Sequence, residues 1–273
     1  MTQPLTPSVP PDILHDLRRQ DAGWAEAGAA LLSGGRTNHV WRVGNRVLKH
    51  YRPHAATPLF PNDPGAEVRA LRLFAPEGLA PELRAVSGEW LLIDHIPGAV
   101  WGHSADEDPA PVAQALGRLH RQRADEGFRA LPNGTAALRA DALRVAGTLP
   151  MPPLPDVPDM PPLPPCPVHA DAVPGNIIAA PQGPVLIDWQ CPGLGDPAED
   201  LATFLSPAMQ WLYTGRTLSP DQRERFLSAY PGHAAVDRLQ ALEPLYAWRI
   251  AAHCRHRAAK GDTDYAQALQ QMA

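Results

Sequence analysis

The chain has 273 residues, with 24 Lys and Arg against 29 Asp and Glu, for a formal charge of −5. Hydrophobic residues at 44% and charged residues at 19% give the balance of a protein that folds around a substantial core, which excludes a disordered chain. The total is acidic, no Lys/Arg run occurs, and no apolar run is long enough to span a bilayer, so neither nucleic acid nor a membrane is the expected partner. Met1 to Asp16 has no basic segment followed by an apolar one, and Cys166, Cys191 and Cys254 form no C-x-x-C pair. The chain therefore reads as cytoplasmic, without a disulfide framework or a zinc ribbon.

Residues 1–22 read as an N-terminal extension. Leu31 to Tyr51 is expected to form three strands, with turns at Ser33-Gly34-Gly35 and Gly44-Asn45 and β-formers Val40, Trp41, Val43, Val47 and Leu48 between them. Asp63-Pro64 supplies an N-cap carboxylate followed by proline at the first helical position. Val68, Leu71 and Phe74 then recur along a helix ended by Gly78. Glu82–Val86 and Glu89–Ile96 read as two further strands.

Helical pattern begins at Ala110. Ten prolines lie between Pro150 and Pro167, so 149–167 is expected to be an extended, stiff surface loop. Its P-x-x-P spacing is read as a property of that loop rather than as a docking site for a protein partner. A short hairpin follows, Asn176–Ile178 against Val185–Asp188. Asp196-Pro197-Ala198-Glu199 reads as a capping box that starts a helix bent or broken at Pro207. Helices are expected over Asp221–Tyr230 and Glu243–Lys260. The fold class is α+β and bilobal, with a small β-rich lobe carrying one helix over 1–97 and a larger, mainly helical lobe over 98–273.

Asp171 and Asn176 stand five residues apart just before the hairpin, and Asp188 stands 12 residues after Asn176 on the returning strand. A hairpin of that length brings three oxygen-bearing side chains to one mouth, as a hard divalent cation and phosphate chemistry require. Two of them suffice for Mg²⁺, and the remaining carboxylate can accept a proton from an attacking hydroxyl. Lysine is scarce, with only Lys49 and Lys260 present, so Lys49 on the third strand stands out.

The pattern His169-x-Asp171-x-x-x-x-Asn176, then strand, turn, strand and Asp188, resembles the catalytic and metal-binding loops of the protein-kinase-like fold. The wording Leu186-Ile187-Asp188-Trp189-Gln190, Gly195-Asp196-Pro197 and Asp200-Leu201-Ala202 is similar to the aminoglycoside phosphotransferase and choline kinase superfamily, closest to its choline/thiamine kinase branch. The resemblance runs from about Leu31 to the last helix. It implies ATP and Mg²⁺ as cofactors, Asp171 as the catalytic base, and Asn176 and Asp188 as metal ligands. It implies nucleotide contacts from Ser33, Gly34, Gly35 and Asn38 as a phosphate-covering loop and from Lys49 with its helix partner Glu67. Adenine would lie against a hinge at Asp94, His95 and Ile96.

Ala170 stands where protein kinases carry Arg, and no peptide-docking segment follows Asp188. A small-molecule hydroxyl is thus the expected acceptor, of choline, thiamine, sugar-alcohol or aminoglycoside type. Trp211, Tyr213, Tyr246 and Trp248, with Glu243, are available to hold an amine by cation–π attraction, although aromatics at helical spacing are usually core. The alternative is a catalytically silent nucleotide-binding regulator that docks a partner on its proline-rich segment.

Overall fold

The computed structural model describes residues 8–20, 28–32, 37–123 and 127–272. Strands β1 (Ala29–Leu31), β2 (His39–Val43), β3 (Arg46–His50), β4 (Leu83–Ser87) and β5 (Trp90–Asp94) form an antiparallel sheet in the order β1-β2-β3-β5-β4. Gly44, at φ 61°, provides the left-handed residue that the tight β2–β3 turn demands. Because side chains alternate along a strand, Leu48, Trp90 and Leu92 join one buried cluster with Trp41 and Val43, while Val47, Leu91 and Ile93 join another. Helix α1 (Pro11–Gln20) covers the first cluster through Ile13 and Leu17, one turn apart, so part of the expected extension is packed structure.

Helix α2 (Pro64–Phe74) covers the other face. Its cap is as expected: the Asp63 carboxylate accepts from Ala66 N at 3.0 Å, and Glu67, Ala70, Leu71 and Phe74 are buried. Lys49 lies on this same face of the sheet, one residue after Leu48, which places it beside the first turn of α2.

The rest of the chain is mainly helical: α3 (Ala110–Leu119), α4 (Thr135–Ala146), α5 (Ala198–Leu205), α6 (Pro207–Thr214), α7 (Pro220–Ala229), α8 (His233–Ala259) and α9 (Thr263–Gln270). Two small sheets are set among them. Strands β6 (Ala99–Val100), β9 (Ile177–Ala180) and β10 (Gly183–Leu186) lie in the order β10-β9-β6; β7 (Arg129–Ala130), β8 (Cys166–Val168) and β11 (Gly193–Gly195) lie in the order β7-β11-β8. The β9–β10 pair is the expected hairpin. Among the described residues no helix is long and apolar enough to cross a membrane.

Two local expectations are corrected. Helix α8 begins at His233, ten residues before the expected start, and carries Pro244 in its interior. An interior proline costs about 3 kcal/mol, but Leu239, Leu242 and Leu245 are fully buried along this helix, each contributing roughly 1.5–3 kcal/mol. At 196–199, Asp196 Oδ1 does accept from Ala198 N at 3.0 Å, but Glu199 turns away to the buried guanidinium of Arg249, so no reciprocal box forms. The complete capping box is Ser219 with Gln222 at α7. The break at Pro207 is real, with Ser206 capping α6.

The proline-rich stretch is the extended surface segment expected, and it is tied down as a strap. Met151, Leu154, Val157 and Met160 pack on the core, and the Trp248 indole N–H donates to Pro152 O at 3.0 Å. Asn133 exchanges two hydrogen bonds with the backbone of Leu163, at 2.7 and 2.9 Å. Thr135 Oγ1 donates to Pro158 O and accepts from Met160 N, both at 2.8 Å. The stretch ends in β8, an edge strand, where Pro167 is tolerated. Replacing Thr135 by Val leaves the Met160 N–H and the Pro158 carbonyl without their partner. It is expected to cost about 1–3 kcal/mol in urea unfolding, with the denaturant slope unchanged.

Candidate active site

Lys49, on β3, is nearly fully buried. Its Nζ lies 2.6 Å from Glu67 Oε2 and also donates to Asp188 Oδ1 beyond the end of β10. The Tyr51 hydroxyl donates to the same Glu67 oxygen at 2.7 Å. Burial by itself depresses the lysine pKa, but the Asp188 and Glu67 carboxylates outweigh it and raise it, so the side chain stays cationic.

Strand β8 feeds the catalytic loop. The N–H groups of His169 and Ala170 donate to the two oxygens of Asp200 on α5, at 2.9 and 2.8 Å. Asp200 is fully buried and also meets His120 Nε2 at 3.0 Å, whose Nδ1 lies 2.8 Å from the Tyr230 hydroxyl. Ala170 has φ 61°, a conformation that costs a non-glycine residue about 1 kcal/mol and that the Asp200 clamp holds in place. The His169 ring spans the two loops. Its Nε2 donates to Ile187 O at 3.0 Å, and its Nδ1 accepts from Asp171 N at 3.3 Å. Burial lowers the His169 pKa, in keeping with this neutral tautomer. The ring therefore ties the backbone of Asp171 to that of Ile187, the residue before Asp188.

Asp171 and Asn176 are both buried at this mouth. Burial, and then the negative charge of Asp188, hold the Asp171 carboxyl well above the usual carboxylate range. Asn176 donates Nδ2 to Asp171 O at 2.9 Å, which leaves its amide oxygen as a donor for a cation. Ile187 N donates to Asn176 O at 2.9 Å and closes the hairpin mouth, so Asn176 and the Asp188 end meet as the spacing requires. Asp188 itself has φ 61°, and Trp189 after it is fully buried, its ring against His169 and Phe74 at centroid distances of 4.4 and 4.9 Å. One carboxylate and one amide oxygen form a hard donor pair that suits Mg²⁺, which takes few protein ligands and completes its shell with water and phosphate.

Ser33, Gly34 and Gly35 lie outside the described residues. Asn38 is within them, but its side-chain amide is already engaged with Gln190, Asn62 and Arg52 N. The Asp94 carboxylate is taken by Arg84, with Nε at 2.8 Å, and by Arg46. Those bonds hold it below the ordinary range. His95 N donates to Asn45 O at 2.9 Å. Asp94 is thus ion-paired at the end of β5, an inner strand of the sheet, and its carboxylate is not free for a nucleotide.

Of the acceptor aromatics, Tyr246 is core, Trp248 is bound to the strap, and Glu243 pairs with Arg223 at 2.8 Å. Tyr213 packs against the loop that carries Asp171, so closely on Gly175 that a Cβ there would lie 2.2 Å from its ring, and Trp211 is half-buried against the core. Tyr51 and Asn62 have no functional signal in the sequence, and Gln190 enters it only within the Leu186-Ile187-Asp188-Trp189-Gln190 wording. Their side-chain hydrogen-bond partners lie 10 to 153 positions away, so no local pattern marks those contacts.

The chain belongs to the phosphotransferase enzyme (APH) family, whose model matches residues 28–242, and is accordingly a small-molecule kinase of the protein-kinase-like fold. It is 30% identical over 238 residues to a probable ketoamine kinase of Thermus thermophilus, covering 76% of this chain and 85% of that protein. It is 32% identical over 153 residues to thiamine kinase of Shigella boydii, covering 52% and 55% of the two chains. A choline/ethanolamine kinase family protein from Mesorhizobium loti has the same fold, with TM-score 0.67 and 19% identity over 95% of this chain and 92% of that one.

The raised carboxyl of Asp171 carries a sign. Its native pKa lies above its unfolded value, so its contribution to stability is full at low pH and is lost as pH rises through the native pKa. Asp171→Asn removes an ionisable group whose charged form is disfavoured by burial and is expected to stabilise the protein at neutral pH. Thermal midpoints compared at about pH 7.5 and about pH 4 should show the gain fading toward the acid side.

Proposed function

We propose that this protein transfers the γ-phosphoryl group of ATP, with Mg²⁺, to a hydroxyl of a small, amine-bearing molecule. The observation that carries the reading is the convergence of one buried cation, Lys49, with Asp188 and Asp171 at the mouth of the β9–β10 hairpin, in a chain of the phosphotransferase family. Lys49 would bind phosphate oxygens of the nucleotide, held in place by Glu67. Asn176 and Asp188 would hold Mg²⁺, which supplies neutralisation of the charge that develops on the phosphoryl oxygens.

Asp171 orients the acceptor hydroxyl and takes its proton as the acceptor oxygen–phosphorus bond forms. The bridging oxygen–phosphorus bond of ATP breaks, ADP leaves, and the proton passes from Asp171 to solvent. An elevated carboxyl pKa makes Asp171 a better base than an exposed aspartate, and it moves the acid limb of the rate profile above the ordinary carboxylate range. The names of the relatives, a ketoamine kinase and a thiamine kinase, support an amine-bearing acceptor. Three cysteines without a disulfide support the cytoplasm as the place of action. The proline-rich strap spends several of its backbone groups on its own chain, which favours the enzyme over a docking regulator.

The test is Mg²⁺-dependent ADP release by purified protein across choline, ethanolamine, thiamine, amino sugars, ketoamines, aminoglycosides and simple sugars. One acceptor class is expected to stimulate release. Asp171→Asn should lower turnover by about 10²–10⁴-fold while calorimetry still shows Mg·ATP binding. An Asp171→Asn enzyme with undiminished turnover would overturn the assignment of the base.

A further inference from the structure

The segment that carries Asp188 is fastened to the β-rich lobe by uncharged side chains that the proposed chemistry leaves unused. Asn38, 4% exposed, donates Nδ2 to Gln190 Oε1 at 2.9 Å and to Asn62 Oδ1 at 3.0 Å. Its own Oδ1 accepts from Asn62 Nδ2 at 2.9 Å and from Arg52 N at 3.0 Å. Gln190, 1% exposed, gives its backbone carbonyl to Asp63 N at 3.1 Å and turns Nε2 toward Thr37 Oγ1 at 3.5 Å. Cys191 Sγ meets Pro61 O at 3.1 Å. Asn38 and Asn62 each give and receive, so the network closes on itself.

The place of these amides in the chain gives them a task. Thr37 and Asn38 close the Ser33–Asn38 stretch expected to contact the phosphates, and Gln190 stands two residues beyond Asp188. Lys49 and Asp188 also join the two regions, but an anionic nucleotide competes for the first and a divalent cation for the second. Neutral amides compete for neither, so their bonds can persist when nucleotide and metal enter.

We propose that Asn38, Asn62 and Gln190 form a positioning latch that keeps the start of β2 in register with Asp188. Asn38 then serves the nucleotide through Gln190 rather than by touching it. This rests on the kinase reading above.

The test is a double-mutant cycle of Asn38→Ala and Gln190→Ala, read as KM for ATP, kcat and thermal midpoint. Each single variant is expected to raise KM for ATP about five- to tenfold with kcat within about threefold, and the double variant to be no worse than the worse single. KM effects that multiply independently, or a lowered midpoint with KM unchanged, would overturn the latch. If Gln190→Ala does not fold, Gln190→Met keeps the buried volume and takes its place in the cycle. If the wild type binds Mg·ATP but turns nothing over, the kinase reading falls and the latch is read from the same cycle in the Kd of Mg·ATP. Absence of Mg·ATP binding would overturn both.

Discussion

The ammonium of Lys49 is the charge around which the two lobes are arranged. It is buried between Glu67 and Asp188, which come from the first turn of α2 and from the end of the catalytic hairpin. Withdrawing both carboxylates would strand a buried ammonium, at about 3–5 kcal/mol, so the ion pairs tie the sheet to the helix and to the hairpin. The apolar packing agrees with it. Leu71 and Phe74 on α2 and Leu91 and Ile93 on β5 share one cluster on the same side of the sheet as Lys49. Such an ion pair is weak evidence for stability taken alone. Its position, within reach of a carboxylate at the mouth of the hairpin, gives it a functional rationale that packing does not require.

Around that charge the structure spends strain. Ala170 and Asp188 both adopt left-handed backbone, one on each side of the mouth, and neither is glycine. Such residues persist where the surroundings over-determine them. Asp200 holds the amides at 169 and 170, and His169 bridges to Ile187. Helix α5, which carries Asp200, is itself anchored: Glu199 pairs with Arg249 of α8, and Asp196 before the helix pairs with Arg238. A chain of buried ion pairs and hydrogen bonds thus runs from the long C-terminal helix to the carboxylate that would take the proton.

Much of this was legible without coordinates. The strands, the α2 cap and the β9–β10 hairpin follow from turn residues, capping chemistry and alternation, each a matter of a few neighbouring residues. The bracket formed by Asp171, Asn176 and Asp188 was legible for the same reason, because a hairpin maps sequence spacing directly onto space. The start of α8 was misplaced because Pro244 is a strong local signal, and only burial of Leu239, Leu242 and Leu245 outweighs it. Glu199 was read as half of a capping box because its competitor, Arg249, lies 50 residues away.

The sequence by itself determined the family, the two-lobed order of elements and the residues here proposed to carry phosphoryl transfer. Those properties are carried by residue type and short spacing. Tertiary structure alone decided that Tyr246 and Trp248 belong to the core and strap, that the Asp94 carboxylate serves Arg84 and Arg46, and that Asn38 meets Gln190 across 152 residues. Each of these depends on which distant group fills a given hydrogen-bonding or apolar face. That competition is settled only when the chain is packed, because a buried polar group must find its partner wherever the fold has placed one.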